Sequence, residues 1–233
     1  MYRQHIILDF EMNPVAKGDQ AVRQHLQREI IEIGAVKLNA AYEVVDRFRC
    51  LVRPEWNPKI AAFITRLTGI TTADVLKAAP FAQTIGAFTQ WVGEQSARIY
   101  SWSGCDLSQL RSECAYKNVP FPKNLGRWVD FQAVYPRIME LPSYYKQMSL
   151  RKAAEQAGIL MNARDAHSAL YDAEIMAELV IPVLNGEYRK QVELYHRTVQ
   201  YEAVSASIPL GDACGGILRR LLQQMQRAPE YAK

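Results

Sequence analysis

The stretch HIILDFEMN, residues 5–13, joins an apolar strand pattern to two carboxylates, Asp9 and Glu11. Side chains two apart on a strand point to the same face, so both acids project together, with Leu8 and Phe10 on the opposite face. Two carboxylates this close repel each other unless a divalent cation lies between them, because hard cations prefer carboxylate oxygen. The pair indicates a metal site at the edge of a sheet, with ordinary solvated acids at a strand end as the alternative.

Two more strand-like segments follow and predict an antiparallel start to the sheet. EIIEIGAVKL (29–38) and EVVDRFRCLVRP (43–54) are rich in β-branched residues, and NAAY separates them, which predicts a hairpin. Residues 14–28 carry turn residues and charges, which predicts a loop or a short helix between the first two strands.

Helix and strand patterns alternate in the rest of the chain. ARIYSW (97–102) and RWVDF (127–131) predict a fourth and a fifth strand. Helical patterns lie at ADVLKAA (73–79), PFAQTIGAFTQWVGE (80–94), DLSQLRSECAYKNV (106–119), SLRKAAEQAG (149–158) and AHSALYDAEIMAELVIPVLNGE (166–187). This order predicts an α/β fold with a mixed sheet of about five strands, the first three antiparallel, flanked by helices.

The composition is that of a globular protein, with 49% hydrophobic and 22% charged residues in 233. A net charge of +4 tolerates an anionic partner without proving one. The four cysteines, Cys50, Cys105, Cys114 and Cys214, form no CxxC pair, which argues against a zinc site or a disulfide framework. Reduced thiols, the lack of a signal-peptide pattern and the lack of a membrane-spanning apolar run predict a soluble cytoplasmic protein.

Residues 187–233 are predicted to form a helical C-terminal extension to a domain of residues 1–186. An apolar stripe at helical spacing runs through Ile217, Leu218, Leu221, Leu222 and Met225. The stripe favours packing against the domain or against a second copy of the chain, which would make a homodimer. The alternative is that the arginines of the same helix contact nucleic acid.

Three further side chains become informative through their positions. Asp106 directly follows the fourth strand, where an isolated Asp is most often a helix N-cap. Asp172 lies near the start of the last long helix, where an acid also interacts favourably with the helix dipole. His167 lies five residues earlier, about 140° away on a helix of about 3.6 residues per turn, so the two cannot share a helix face. If both serve one site, His167 lies before the helix on a mobile connection, and Ser168 or Asp165 caps the helix.

The ordered segments DFE, SGCD and HSALYDA resemble the three exonuclease motifs of the DEDDh, or DnaQ-like, 3′-5′ exonucleases. The resemblance covers about residues 5–186 and includes LTGIT (67–71) and VPFP (119–122). It is most similar to the KapD-like proteins and to the eukaryotic exonucleases that trim histone mRNA ends and small RNAs. Two features depart from the family pattern: the loop after Glu11 is long, and residues 187–233 match no named segment. All five family positions are present: Asp9, Glu11, Asp106, His167 and Asp172.

The resemblance implies an RNase H-like fold and two divalent cations, Mg²⁺ or Mn²⁺. It implies that Asp9 bridges both cations, that Glu11 and Asp172 hold the cation carrying the attacking water, and that Asp106 assists the other. His167 is then the general base, because an ordinary imidazole is able to accept a proton near neutral pH. The expected products are nucleoside 5′-monophosphates released from single-stranded 3′ ends, with RNA favoured.

The resemblance also nominates Met12, Leu67 and Thr68 as contacts for the terminal base, with Leu67 as a core residue being the alternative. A DNA 3′-5′ exonuclease of the proofreading type is the rival enzyme. A non-catalytic nucleic-acid-binding adaptor is the rival from another class, and the intact acidic set disfavours it, because clustered acids without cations would repel phosphate.

Overall fold

The computed structural model describes residues 2–141, 148–162 and 167–190, with residues 192–193 and 196–197. The chain divides into two compact units, residues 1–191 and 192–233. The apolar stripe predicted at Ile217 to Met225 lies outside the described residues, and the predicted boundary after residue 186 stays a prediction.

Six strands form one mixed sheet, which confirms the predicted fold class. β1 lies between β2 and β5 in the order β4-β3-β2-β1-β5-β6. The first three strands pair antiparallel as predicted, whereas β1–β5, β5–β6 and β3–β4 pair in parallel. The strand that sequence patterns missed is β4, whose two residues are too few to show a period. The strands are β1 (His5–Pro14), β2 (Arg28–Leu38), β3 (Val44–Arg53), β4 (Ala79–Pro80), β5 (Ala97–Ser101) and β6 (Leu125–Asp130).

Helices cover the sheet. They are α1 (Gln20–Arg23), α2 (Ala62–Thr68), α3 (Thr72–Leu76), α4 (Phe81–Val92), α5 (Cys105–Tyr116), α6 (Phe131–Ile138), α7 (Leu150–Gln156) and α8 (Ala169–Asn185). Neither α2 nor α6 was predicted. The side chain of Asp130, the last residue of β6, accepts a hydrogen bond from the N–H of Ala133 and so caps α6. No helix in the described part of the chain is both long enough and apolar enough to cross a membrane.

The main core lies on one face of the sheet. Ile6, Leu8 and Phe10 of β1 are at most 5% exposed and belong to the same cluster as Phe81 and Phe88 of α4. The apolar side chains of β1 and of α4 therefore pack together in one layer. Burial of each large side chain contributes about 1.5–3 kcal/mol to the stability of the fold. The long segment after Glu11 folds as a loop with the short helix α1, stabilised by a small cluster of Val15, Val22 and Leu26.

The helix α8 lies across the strands β1 and β2 on the face that carries Asp9. A Cβ atom built on Gly34 of β2 would lie 2.0 Å from the backbone of Ala169 and of Leu170, so the start of α8 touches the strand itself. Gly34 pairs with Asp9 across the β1–β2 ladder. The glycine therefore places the first turn of α8 directly over the first acid of the DFE segment.

Candidate metal and active site

Three elements bring the predicted acids to one edge of the sheet. β1 and β5 are parallel, so their carboxyl ends lie at the same edge. Asp9 and Glu11 lie toward the end of β1, and Asp106 lies in the first turn of α5, which follows β5. Asp172 lies in the first turn of α8. The site is thus assembled from residues far apart in the chain.

Asp106 does not cap α5, although an isolated Asp at this position in a sequence is most often an N-cap. Gly104 occupies the N-cap position of α5, and Asp106 is 5% exposed within the first turn. Its carboxylate accepts a hydrogen bond from the backbone N–H of Phe10 on β1. Burial, with the charge of Asp130, raises the pKa of Asp106 to about 7.

Burial and mutual repulsion favour the protonated form of both acids on β1. Burial raises the pKa of Glu11 to about 8, and repulsion from Asp172, Glu32 and Asp106 adds to it. Burial also raises the pKa of Asp9 well above its usual range, with repulsion from Asp106, Glu11 and Asp172. Carboxylates that repel each other in a buried place gain most from a bound cation.

His167 lies before α8 and Asp172 in its first turn, so the two do not share a helix face, which agrees with the spacing argument. His167 has a φ of 69°, a left-handed conformation that costs a non-glycine residue about 1–3 kcal/mol. Its backbone N–H donates a hydrogen bond to the Asp172 carboxylate. Three possible ligand atoms lie within 4.8 Å of one another, one each from Glu11, His167 and Asp172.

The donor set fits divalent cations. The Oδ1 atom of Asp172 is buried and makes no hydrogen bond within the described chain. A buried carboxylate oxygen without a partner is costly, and a cation would satisfy it. Asp9, Glu11, Asp106 and Asp172 together offer hard oxygen ligands of the kind that Mg²⁺, Mn²⁺ and Ca²⁺ take.

The raised pKa values predict how the stability of the cation-free protein depends on pH. Between the usual value of 4.5 and about 8, Glu11 keeps a proton in the folded state that it loses in the unfolded chain. The free energy of unfolding therefore falls as pH rises through this window. We expect the melting temperature in chelator to fall between about pH 5 and pH 8 by at least roughly 2–4 °C, the shift that about 1 kcal/mol produces in a chain of this size.

Differential scanning calorimetry with and without Mn²⁺ measures this slope. Manganese should reduce the slope, because the cation stabilises the charged carboxylates. Glu11→Gln should flatten the slope in chelator, whereas Glu178→Gln, which alters an exposed acid of α8, should leave it unchanged. A melting temperature in chelator that stays constant or rises over this pH range contradicts the prediction.

The residues nominated for base contact lie in β1 and at the end of α2. Met12 follows a register shift in β1 directly after Glu11 and lines a cavity of about 320 Å³ that Cys105 also lines. Leu67 is 44% exposed, so the alternative that it is a core residue is wrong. Thr68 donates a hydrogen bond from its hydroxyl to the carbonyl of Ile64 and accepts one from the N–H of Ile70, which shapes the turn after α2.

A buried asparagine ties α2 to the acidic strand. Asn13, two residues after Glu11, accepts a hydrogen bond from the N–H of Ala61 and donates to the carbonyl groups of Asn57 and Lys59. Phe63 is 54% exposed and precedes Leu67 by one helical turn, so the two side chains share a face of α2. Sequence analysis missed Phe63, and the only available signal was an apolar pair at i, i+4 beside the LTGIT segment.

Trp102 lies four residues before Asp106, and Ser168 directly follows His167. Trp102 packs against Phe131 and Tyr135, and its indole N–H donates to the carbonyl of Met148, so it serves packing. Ser168 occupies the N-cap position of α8, but its side chain makes no capping hydrogen bond. The N–H of Ala169 instead donates to Oε2 of Glu32, a residue that sequence analysis did not single out. Asp165, the other proposed cap, lies outside the described residues.

The model of the exonuclease family (RNase_T) matches residues 6–180. The rat (Rattus norvegicus) 3′-5′ exoribonuclease 1 is 27% identical over 215 residues, which cover 89% of this chain and 60% of the rat protein. This chain therefore spans less than two thirds of that relative.

Two solved structures are similar in fold and in sequence. The nuclease domain of 3′hExo, described as a DEDDh family member bound to rAMP, is 26% identical with a TM-score of 0.67. The match covers 79% of this chain and 93% of that domain. A structure of a 3′-exonuclease recognising the histone mRNA stem-loop is 26% identical with a TM-score of 0.68, covering 79% of this chain and 64% of the other.

Proposed function

Because this chain belongs to the exonuclease family whose model matches residues 6–180, we propose that it is a metal-dependent 3′-5′ exonuclease. It removes nucleoside 5′-monophosphates from single-stranded 3′ ends and prefers RNA to DNA. The observation that carries the proposal is the convergence of four carboxylates and one histidine at a single sheet edge, with Asp172 Oδ1 left without a hydrogen bond in the described chain.

Each residue of the site has a proposed task. Two divalent cations, when bound, supply electrostatic stabilisation of the attacking and leaving oxygens of an in-line displacement. Asp9, Glu11, Asp106 and Asp172 hold them, with Asp9 placed between the others by its position on the central strand. His167 takes the proton of the attacking water, because its imidazole lies beside Glu11 and Asp172 without being fixed inside a helix.

The preference for RNA is supported by the relatives. They include an exoribonuclease, a nuclease domain bound to rAMP and a 3′-exonuclease that recognises the histone mRNA stem-loop. A DNA exonuclease is the rival enzyme, and a non-catalytic adaptor is the rival from another class. The adaptor is disfavoured because clustered acids without cations would repel phosphate, whereas their carboxylates suit divalent cations.

A single assay separates these functions. The purified chain is incubated with RNA and DNA oligonucleotides labelled at the 5′ end, in Mg²⁺, in Mn²⁺ or in chelator. We expect a ladder of products shortened from the 3′ end in either cation, none in chelator, and faster shortening of RNA. Faster shortening of DNA would make the rival enzyme correct. Binding without shortening in both cations would make the adaptor correct.

The exposed pair on α2 gives a prediction about substrate binding. We expect Phe63→Ala and Leu67→Ala each to weaken binding of single-stranded RNA by about 1–3 kcal/mol, the usual contribution of one stacked base. Their effect on the rate at saturating RNA should be smaller than their effect on binding. Leu76→Ala is the matched control, because Leu76 is also exposed, at 52%, but ends α3. Unchanged affinity in both α2 variants would remove this face from the substrate site.

The C-terminal extension gives a prediction about assembly. We propose that the chain forms a homodimer through residues 187–233, and this rests on the apolar stripe alone. Deleting residues 212–233 should halve the mass measured by sedimentation equilibrium. A full-length chain that sediments as a monomer would refute the dimer.

The cellular setting is also proposed to be the cytoplasm. The described cysteines Cys50, Cys105 and Cys114 are free thiols, which suits a reducing compartment. Fractionation of cells that express the chain tests this assignment.

A further inference from the structure

Glu32 on β2 is a buried acid that lies beside the proposed metal site without being free to bind a metal. It is 0% exposed and pairs with Glu11 across the β1–β2 ladder. Both of its carboxylate oxygens are occupied. Oε1 accepts a hydrogen bond from Nε of Arg49 at 2.6 Å, and Oε2 accepts one from the N–H of Ala169 at 2.9 Å.

The bond to Ala169 replaces a helix cap. The first N–H groups of a helix have no partner within the helix, and a capping side chain usually satisfies one of them. Ala169 is the first residue of α8, and the Ser168 side chain makes no capping bond. The carboxylate of Glu32 therefore caps α8 from a strand 137 positions earlier in the chain, and its charge also suits the positive end of the helix dipole.

The hydrogen bond from Ala169 to Glu32 anchors the backbone that carries two proposed site residues. His167 is two residues before Ala169 and has a left-handed conformation that needs external support. Asp172 is three residues after Ala169, and its carboxylate accepts a hydrogen bond from the N–H of His167. Gly34, two residues after Glu32 on the same face of β2, lets the backbone at Ala169 come into contact with the strand. Contact at Gly34 and the hydrogen bond from Glu32 together fix both the distance and the direction of the first turn.

We infer that Glu32 is a positioning residue, which sets the place of His167 over the site by capping α8 through the N–H of Ala169. The inference rests on the proposed function, since it assigns the proton acceptor to His167. Glu32 touches neither substrate nor cation in this role. Its effect on the reaction therefore passes through the histidine.

Three variants of the full chain separate the parts of this role. Glu32→Ala removes the acceptor. Glu32→Asp keeps the charge but withdraws the carboxylate by one methylene, so it no longer reaches Ala169. Glu32→Gln keeps an amide oxygen of the same reach without the charge. If capping matters, hydrogen exchange at Ala169 should resemble the parent in Glu32→Gln, whose single amide oxygen can serve Ala169 at the loss of the bond from Arg49, and exchange in Glu32→Asp should resemble that in Glu32→Ala. The comparison of Asp with Gln also decides the matter if the alanine variant does not fold.

The first measurement does not depend on activity. Amide hydrogen exchange followed by NMR reports on the N–H of Ala169, and the N–H of Asp172, bonded to the carbonyl of Ser168, is the internal reference. Exchange at Ala169 should rise on the order of 10- to 100-fold in Glu32→Asp, the effect of losing a hydrogen bond to a charged acceptor. Exchange at Ala169 that matches the parent in Glu32→Asp overturns the inference.

The second measurement uses kinetics at saturating Mn²⁺. Glu32→Asp should lower the single-turnover rate on the order of 10²-fold, as misplacement of a reacting group does, with RNA affinity unchanged. In the His167→Ala background Glu32→Asp should cause no further loss, because both changes remove the same step. Losses that multiply in the double variant overturn the inference, since Glu32 would then act on the cations or on the whole fold.

A control variant tests whether the effects are specific to Glu32. Glu113→Gln alters another acid that is 0% exposed and that accepts a strand N–H, that of Ile30, at 2.9 Å. It should lower the melting temperature without changing exchange at Ala169. A parent without nuclease activity refutes the proposed function, and the exchange measurement then decides by itself whether Glu32 caps α8.

Discussion

Asp9→Asn is expected to abolish cleavage while leaving the chain folded. Asp9 lies on the central strand between the other acids, and Asp106, Glu11 and Asp172 are all close enough to raise its pKa. An amide in its place offers one weaker oxygen ligand and no charge. Because cations contribute several kcal/mol to the transition state, and about 1.4 kcal/mol is a tenfold change, the rate should fall by about 10³-fold or more.

The fold should survive because the opposite face of β1 is unchanged. Leu8 and Phe10 keep their places in the core, and an amide at position 9 cannot ionise among the neighbouring acids that disfavour a charge there. The measurements are single-turnover cleavage of labelled RNA, manganese affinity by calorimetry, and the melting temperature in chelator. Glu178→Gln is the control for carboxylate-to-amide exchange at an exposed position. Substantial cation-dependent activity in Asp9→Asn would refute the assignment of the site.

His167→Ala is expected to lower the rate on the order of 10²- to 10⁴-fold, the usual contribution of a general base. The parent's rate should depend on pH through this general base, and the variant should lose that dependence. Saturating Mn²⁺ is required, since the raised pKa values of Glu11 and Asp106 would otherwise add their own pH dependence.

The geometry of His167 makes metal binding the competing role. Its imidazole, Glu11 and Asp172 are near enough to hold one cation together. A general base leaves manganese affinity nearly unchanged when it is removed, whereas a ligand weakens it. Calorimetric titration of parent, His167→Ala and Asp172→Asn distinguishes the roles, and Asp172→Asn should weaken binding. If His167→Ala keeps both the parent's rate and its pH profile, the base is another group.

Much of the fold was predictable from local patterns. β1, β2, β3 and β5 appear as period-two or β-branched runs, and α4 shows its core stripe at Phe81, Ile85, Phe88 and Val92, all of which are buried. These patterns are visible because side-chain direction along one element follows from backbone geometry. The elements β4, α2 and α6 were missed, and the two residues of β4 are too few to establish a period.

The tertiary structure alone decided the electrostatics and the exposure of the site. Asp106 has the sequence position of a helix cap, and only the packing of α5 against β1 makes it a buried acid with a raised pKa. Leu67 and Phe63 have the side chains of core residues, yet α2 leaves them exposed. Burial and exposure depend on which elements cover a residue, and no local pattern contains that information.

The sequence by itself determined which acids and which histidine belong together, because their order and spacing match one set of family motifs. It also required His167 to lie before the helix if His167 and Asp172 serve one site, since residues five apart on a helix point to different faces, although the predicted helix began at residue 166. The cap of α8 was decided by the tertiary structure. Local pattern favoured Ser168, but Gly34 brings the helix start within reach of Glu32, which is 137 positions away from Ala169 in the chain. A contact of this range depends on how sheet and helix pack, and packing depends on all the elements at once.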